Sequence, residues 1–464
     1  MTDAFDVVFI GGGPGGYHAA IYAAKNGLKA AVVERAELGG TCLNRGCIPT
    51  KVIHASAEAM HSAHEGAKFG FVLEGTVRPD YPAVAARKDA IVKKLRDGIT
   101  GLFRGNGITL FPGTGMVIEG GVRVTGPDGG VVELSAKDVV VTTGSRPSSL
   151  PGINVDHEVV IDSDDALAMA SLPATLLVIG GGVIGCEFAD MYSRFGTKVT
   201  IVELLPRIIA TEDPISSRSV AKSFASRGIE VVTGVSVSSV ERIGDAARVT
   251  LSNGKSYEAR KVLVSVGRRP NTAGLGLDDC LDQKGFIRVD ATMKTPRQGV
   301  WAAGDCIAGP MLAHVASREA ETAVENMLGR TSHMNYDAIP GCVFTSPEVA
   351  SVGVSEDAAK QRGIEVKIGK FFYQANGQAL ALGDEEGQVK VVAEKSTGRL
   401  LGATVIGKGA SSLIAELALA VSHGMKAKDV YETVHAHPTL AEISMEAVAD
   451  VDGMAIHKVT PRKK

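Results

Sequence analysis

An apolar run, FDVVFI at 5–10, breaks at the glycine cluster GGGPGG and gives way to an alanine-rich stretch. A second apolar run, KAAVVE at 29–34, follows Gly27. Short apolar runs bounded by glycine predict strands, and the stretch between them has the length and composition of a helix. The order strand, Gly-rich turn, helix, strand is a βαβ unit. The passage returns at 174–206 as ATLLVIGGGVIGCEFADMYSRFGTKVTIVELLP. Gly11 to Glu34 spans 23 positions, and so does Gly180 to Glu203.

Each copy has the spacing of a dinucleotide-binding turn, with Gly11, Gly13 and Gly16 in the first and Gly180, Gly182 and Gly185 in the second. The first glycine permits the tight turn, the second lets a pyrophosphate approach the backbone, and the third lets helix and strand pack closely. The phosphates then meet free N–H groups at the helix start. Glu34 and Glu203 stand where a carboxylate accepts hydrogen bonds from ribose hydroxyls. One such motif is a weak signal; two with the same spacing are strong. A chain that binds two dinucleotides is built for electron transfer between them.

Related turns close each unit, VVVTTGSRP at 139–147 and VLVSVGRRPN at 262–271. Between 98 and 135 apolar and polar residues alternate around glycines, which predicts a small antiparallel insertion. VWAAGDCIAGPMLAHVASREA at 300–320 reads as strand, Gly-Asp turn and helix. From about 339 strands joined by Gly turns are followed, from about 411, by helices. This is expected to be a separate α+β domain. The stretches NTAGLGLDD and GRTSHMNYDAIP are read as crossings between domains.

The totals narrow the function. A chain of 464 residues has room for roughly two to four domains. Its net charge is −3, with no long run of one sign, so nucleic acid is not an expected partner. No apolar run approaches the roughly 18 residues of a membrane span. The start has no basic region before its first strand, so no signal peptide is expected. Six cysteines in so long a chain do not make a secreted disulfide framework, and the reading is cytosolic.

Two of the six, Cys42 and Cys47, fall in GGTCLNRGCIPTK at 39–51, directly after the first βαβ unit. Three readings compete. A zinc half-site needs two more soft ligands, and the other cysteines are scattered, so no metal is expected. A structural disulfide is disfavoured in a reducing compartment. A redox-active pair poised beside a flavin is the third. Five positions apart on a regular helix, two Cα atoms exceed the roughly 4.4–6.8 Å that a disulfide spans. Gly46 and Pro49 are the residues expected to distort that turn.

The segments GGGPGGY, GGTCLNRGCIPTK, TTGSRP, GGGVIGCEFA, SVGRRPN, AAGDC, MLAHVA, FTSPEVASVG and HAHPTLAE span the chain. Together they resemble the class-I pyridine nucleotide-disulfide oxidoreductases. The likeness is greatest to members that oxidise dihydrolipoyl groups with NAD⁺. It implies an α/β fold class: two Rossmann-like dinucleotide-binding domains, for FAD and NAD, plus a C-terminal α+β dimerisation domain. The implied boundaries are FAD-binding 1–150, NAD-binding 151–272, a return to the central domain over 273–338, and dimerisation over 339–464.

By the same resemblance, FAD is held by Gly11, Gly13, Gly16, Glu34, Gly40, Thr41, Gly115, Thr143, Gly144 and Ser145. Asp305 binds its ribityl chain, and the backbone of Leu312, Ala313 and His314 caps the flavin. Lys51 lies against the reactive edge, paired with Glu187. NAD is held by Gly180, Gly182, Val183, Ile184, Gly185, Glu203, Val237 and Gly267. Cys42 exchanges with the substrate sulfur, and Cys47 sits against the flavin as a charge-transfer thiolate. His437 is the base, oriented by Glu442, and comes from the second subunit of a homodimer. His435 is then a bystander. Arg45 and Thr50 stand where Val and Ser are frequent in the family, and Cys186 is read as a buried apolar filler.

The implied partner is the lipoyl domain of a 2-oxoacid dehydrogenase or glycine-cleavage complex. No lipoyl-like domain precedes Phe5, so the lipoyl group is expected on a separate protein. Glutathione-type reductases use NADPH, which Glu203 would repel. Mercuric reductases carry a C-terminal cysteine pair, and the tail VDGMAIHKVTPRKK has none. A non-enzymatic metal- or disulfide-stapled binding protein is the rival of a different class, and it would lack the yellow colour of a flavoprotein.

Overall fold

The apolar run at the N-terminus forms the strand Ala4–Ile10, with Val7 to Ile10 all buried. It lies between two parallel partners, Ala30–Glu34 and Val131–Val141. A strand flanked on both edges and covered on both faces reads as a near-continuous apolar run, which is why the sequence signal is strong here. Thr109–Pro112 extends this sheet beyond Ala30–Glu34, and Val300–Ala302 joins it against Val131–Val141. The computed structural model describes residues 4–459. It divides into two compact bodies. The first holds residues up to Ala59, Pro79–Leu172 and Val266–Met334; the second holds Met60–Arg78, Pro173–Ser265 and the chain from Asn335.

The reading of 98–135 needs correction at its start. The helix Tyr81–Gly105 runs through 98–105, and Thr109–Pro112 is a parallel strand of the main sheet. Only Thr114–Ile118, Gly121–Thr125 and Val131–Val141 form the antiparallel insertion. Gly98, Gly101 and Gly105 disguise the helix, since glycine is a poor helix former. Its buried residues Tyr81, Val92, Ile99 and Phe103 form a helical stripe that outweighs them.

In the second body the parallel strands run in the order Glu230–Thr233, Lys198–Glu203, Thr175–Ile179, Lys261–Val264. The C-terminal part is an antiparallel sheet ordered Gly341–Val343, Val349–Gly353, Leu400–Ile406, Gln388–Glu394, Val366–Phe372. The helices Ala410–Ser422 and Ala441–Asp450 pack on it around one apolar core. These two parts are also tied by polar contacts. The fully buried Asp190 accepts from Arg194 Nε at 3.0 Å, Arg227 Nη2 at 2.6 Å and the Ser346 N–H at 3.0 Å. The buried Lys390 ammonium pairs with Asp213, and Glu356 lies 3.6 Å away.

Candidate active site

The two glycine turns are near-copies. Gly11 and Gly180 have φ of +110° and +105°, a region that side chains rarely adopt. A Cβ on Gly16 would stand 1.8 Å from the Gly11 carbonyl oxygen, and one on Gly185 would stand 2.0 Å from that of Gly180. Both third glycines therefore exist to let helix and strand touch. The second glycines differ in kind: a Cβ on Gly182 would meet nothing within 4 Å, and one on Gly13 only Gly40 Cα at 3.8 Å. Each second glycine is the N-cap of its helix, without a side-chain cap and with no acid in the first turn. Free N–H groups at an uncapped helix start attract an anion.

The acids close both turns alike. Glu34 Oε2 accepts the Gly12 N–H at 2.6 Å and Oε1 accepts that of Ala36 at 2.8 Å. Glu203 Oε2 accepts the Gly181 N–H at 2.6 Å and Oε1 that of Leu205 at 2.7 Å. A carboxylate oxygen has two lone pairs, so each keeps an acceptor position for a ribose hydroxyl. The residues present fit a dinucleotide at both turns. In the first body the turn opens on a cleft of about 140 Å³ lined by Gly11, Glu34, Gly113, Gly115, Thr143 and Asn271, among others. Val183 and Ile184 are half-buried in the first turn of the second helix. Val237 begins a strand of the same body, and Gly267 belongs to the first body, at φ +110°.

The cysteine segment folds as two helices, Gly40–Arg45 and Cys47–His64, with Gly46 between them at φ −148° and ψ −114°. A Cβ on Gly46 would stand 2.9 Å from the Thr41 carbonyl oxygen and 3.3 Å from Cys42 Cα, so only glycine folds this tightly. Pro49 lies in the first turn of the second helix, where its missing N–H leaves no bond unmade. The break brings Cys42 and Cys47 into side-chain hydrogen-bond contact. That contact, then burial, then the charge of Cys47 push the Cys42 thiol well above the ordinary range. Gly40, at φ +57°, packs its α-carbon on Gly13, where a Cβ would come within 2.6 Å. Thr41 follows it, half-buried, and Lys51 is half-buried one turn after Cys47.

Ser145 and Asp305 are 160 positions apart in sequence and 2.5 Å apart in space, Oγ to Oδ2. Arg268 holds both: its Nε donates to Ser145 Oγ at 2.6 Å and lies 3.9 Å from Asp305 Oδ2. Gly144, at φ +67°, accepts the Asn271 N–H, and Thr143 Oγ1 donates to the Asn271 carbonyl at 2.6 Å. The buried Glu319 fixes the turn before Asp305 by accepting the Gly304 N–H at 2.7 Å. Leu312 is the N-cap of the helix Ala313–Met327, and His314 is exposed on its first turn.

In the second body His437 Nδ1 and Glu442 Oε1 are 2.9 Å apart, and Glu442 Oε2 accepts the Thr439 N–H at 2.9 Å. Burial alone would push the Glu442 carboxyl up; the Thr439 N–H and the His437 imidazole outweigh it and hold it low. The His437 side chain is 79% exposed, so its Nε2 edge is open to a substrate. His435 instead spends both ring nitrogens, on Glu416 Oε1 and the Thr433 carbonyl, at 2.8 Å each. Glu187 Oε1 accepts the Phe344 N–H at 3.0 Å, and Cys186 is fully buried with its thiol on the Gly181 carbonyl. Sequence reasoning missed Arg268, Asn271 and Glu319. The paired turns TGSRP and VGRRPN were the available signal for the first two; Glu319 had none.

Two family models match the chain: "Pyridine nucleotide-disulphide oxidoreductase" over residues 5–320 and the dimerisation domain of the same name over 339–448. The chain is 43% identical to the dihydrolipoyl dehydrogenase of Chlamydia trachomatis, covering 100% of both. It is 41% identical to that of Bacillus subtilis, over 98% of this chain and 100% of the relative. Among solved structures, LpdA from Mycobacterium tuberculosis superposes with a TM-score of 0.91 at 29% identity, covering 96% of this chain and 99% of that one. With the doubled nucleotide turn, the hydrogen-bonded cysteine pair and these matches over its whole length, the chain belongs to the pyridine nucleotide-disulphide oxidoreductase family.

Proposed function

We propose that this chain oxidises protein-bound dihydrolipoyl groups with NAD⁺, using FAD and the Cys42–Cys47 pair, as a homodimer. The observation that carries the reading is the pair of cysteine side chains in contact across Gly46, beside a nucleotide turn that the chain uses twice. The FAD-binding region is residues 1–150 with a return over 273–338, NAD binds within 151–272, and 339–464 is the dimerisation region. The cysteine usage supports the cytoplasm as its compartment.

In the first half-reaction the substrate dithiol meets the Cys42–Cys47 disulfide. His437 takes a proton from a substrate thiol, and Glu442 holds the imidazolium that results. The substrate thiolate attacks Cys42, the Cys42–Cys47 bond breaks, and Cys47 leaves as a thiolate. The second substrate sulfur then displaces Cys42, closing the lipoyl disulfide and leaving the enzyme pair reduced by two electrons. Bound FAD supplies the two-electron carrier between that pair and the nicotinamide. Ser145 and Asp305 would position the ribityl chain, and Lys51 would lie against the reactive edge. The sum is dihydrolipoyl dithiol plus NAD⁺ giving lipoyl disulfide, NADH and one proton. The lipoyl group rides on a 2-oxoacid dehydrogenase or glycine-cleavage complex.

The deciding experiment is steady-state assay of the purified protein with dihydrolipoamide, glutathione and Hg²⁺, each with NAD(H) and NADP(H). Turnover confined to dihydrolipoamide with NAD⁺ supports the reading. Faster turnover of glutathione disulfide or Hg²⁺ with NADPH would reject it.

A further inference from the structure

Arg45 ends the short cysteine helix, three positions after Cys42 and two before Cys47. Its Nε lies 3.9 Å from Oδ2 of Asp164, the second residue of the helix Ser163–Ala168. The other oxygen of that carboxylate, Oδ1, is buried and accepts no hydrogen bond from any described residue. Such an orphaned acceptor costs folding free energy and calls for an explanation. Burial and the neighbouring Asp162 push the Asp164 carboxyl up, while Arg45 and Arg268 oppose them. Arg268 is the residue that holds Ser145 and Asp305. The charge of Asp305 in turn acts on Cys42. Asp164 thus faces the guanidinium that ends the cysteine helix and also feels the charge of Arg268.

We infer that Asp164 is a positioning residue for the cysteine pair: by holding Arg45 and offsetting its charge, it sets how much positive field the Cys42 and Cys47 thiolates feel. The inference rests on the reading of Cys42 as the exchange thiol. Its physical basis is that a nearby guanidinium stabilises a thiolate and a carboxylate beside that guanidinium cancels the effect. Removing the carboxylate leaves a surplus positive charge near the pair. Removing the guanidinium leaves a surplus negative one. The two lesions therefore act in opposite directions, which a purely structural contact would not do.

The test is the rate at which iodoacetamide alkylates Cys42 in the full-length, FAD-loaded protein reduced with excess NADH, read by mass spectrometry at pH 7. Asp164→Asn should raise the rate about threefold and Arg45→Gln should lower it about threefold. The double variant should return to near the wild-type rate. Arg45→Lys keeps the charge and should stay near wild type. Added salt at about 0.5 M should shrink both single effects, since the pair is partly exposed. Single variants that shift the rate in the same direction, or a double variant further from wild type than either, would overturn the inference. If Asp164→Asn fails to fold, an Arg45→Gln rate equal to or above wild type overturns it alone. Cys42→Ser separates this from the reading beneath it. A Cys42→Ser protein that still turns over dihydrolipoamide removes the exchange-thiol reading and this inference with it. A dead Cys42→Ser protein with unmoved alkylation in the charge variants rejects this inference only.

Discussion

Glu203 accepts the backbone N–H of Gly181 at 2.6 Å, across 22 positions of sequence, and Glu34 makes the same bond to Gly12 at the same length. The bond aims each carboxylate along the mouth of its glycine turn. At the second turn a ribose 2′-phosphate would meet that negative charge, whereas a hydroxyl would donate to it. NADH should therefore exceed NADPH in kcat/KM by at least ~10²-fold, about 2.7 kcal/mol. Glu203→Ala should narrow the ratio to within about tenfold. Equal use of the two cofactors by the wild-type protein would remove Glu203 from this role.

The second and third glycines of one turn should fail differently. A Cβ on Gly182 points into open space, and one on Gly185 collides with the Gly180 carbonyl at 2.0 Å. Gly182→Ala should fold with near-wild-type thermal stability and lose NAD⁺ affinity, because the methyl stands where pyrophosphate approaches. Gly185→Ala should lose stability by about 1–3 kcal/mol or more, as overpacking does. Thermal melts with and without NAD⁺ separate the two outcomes. Equal melting of both variants would show that the two glycines share one role.

The proposed sharing of each site between subunits predicts complementation. Cys42→Ser and His437→Ala homodimers should each have little lipoamide activity, with loss of a general base costing roughly 10²–10⁴-fold. Co-expression with random assortment makes about half of the dimers mixed, each with one intact site of two, if the sites are shared. About a quarter of wild-type specific activity should then return. No recovery in dimers shown to be mixed by differential tags would reject the shared site and leave a catalytic role for His437 open.

The Asp213–Lys390 pair predicts a stability effect with a defined pH dependence. Both side chains are only 7% exposed. Burial would raise the Asp213 carboxyl, but the Lys390 ammonium and the Ile215 N–H reverse this and hold it low. A carboxyl lowered in the folded state contributes stability above its unfolded value of about 3.9, and that stability is lost as pH falls through the folded value below it. Lys390→Met strands a buried carboxylate and should cost about 3–5 kcal/mol at pH 7. Asp213→Asn with Lys390→Met should recover most of the loss. Urea midpoints from pH 7 down to about pH 3 measure both; an unchanged midpoint in Lys390→Met would show that the pair is not coupled to folding.

Much of the site was legible in the sequence because its parts are local. The Gly11–Gly16 and Gly180–Gly185 turns, the Gly46 break between Cys42 and Cys47, and His437 five residues before Glu442 each depend on backbone geometry within a few residues. Glycine where a Cβ has no room and an acid at the end of the next strand follow from chain stereochemistry alone. What only the tertiary structure decided are contacts set by strand order and packing. Ser145 meets Asp305 because the parallel strands Val131–Val141 and Val300–Ala302 deliver their turns to one sheet edge, and Thr143 meets Asn271 because Arg268–Pro270 pairs antiparallel with Ser145–Pro147. Arg45 reaches Asp164 because two short helices pack together, and Glu319 reaches the Gly304 N–H from the next helix. The helix over 98–105 was hidden for the same reason. Its glycines argue locally against a helix, and the burial of Ile99 and Phe103 that overrides them exists only once the chain has folded.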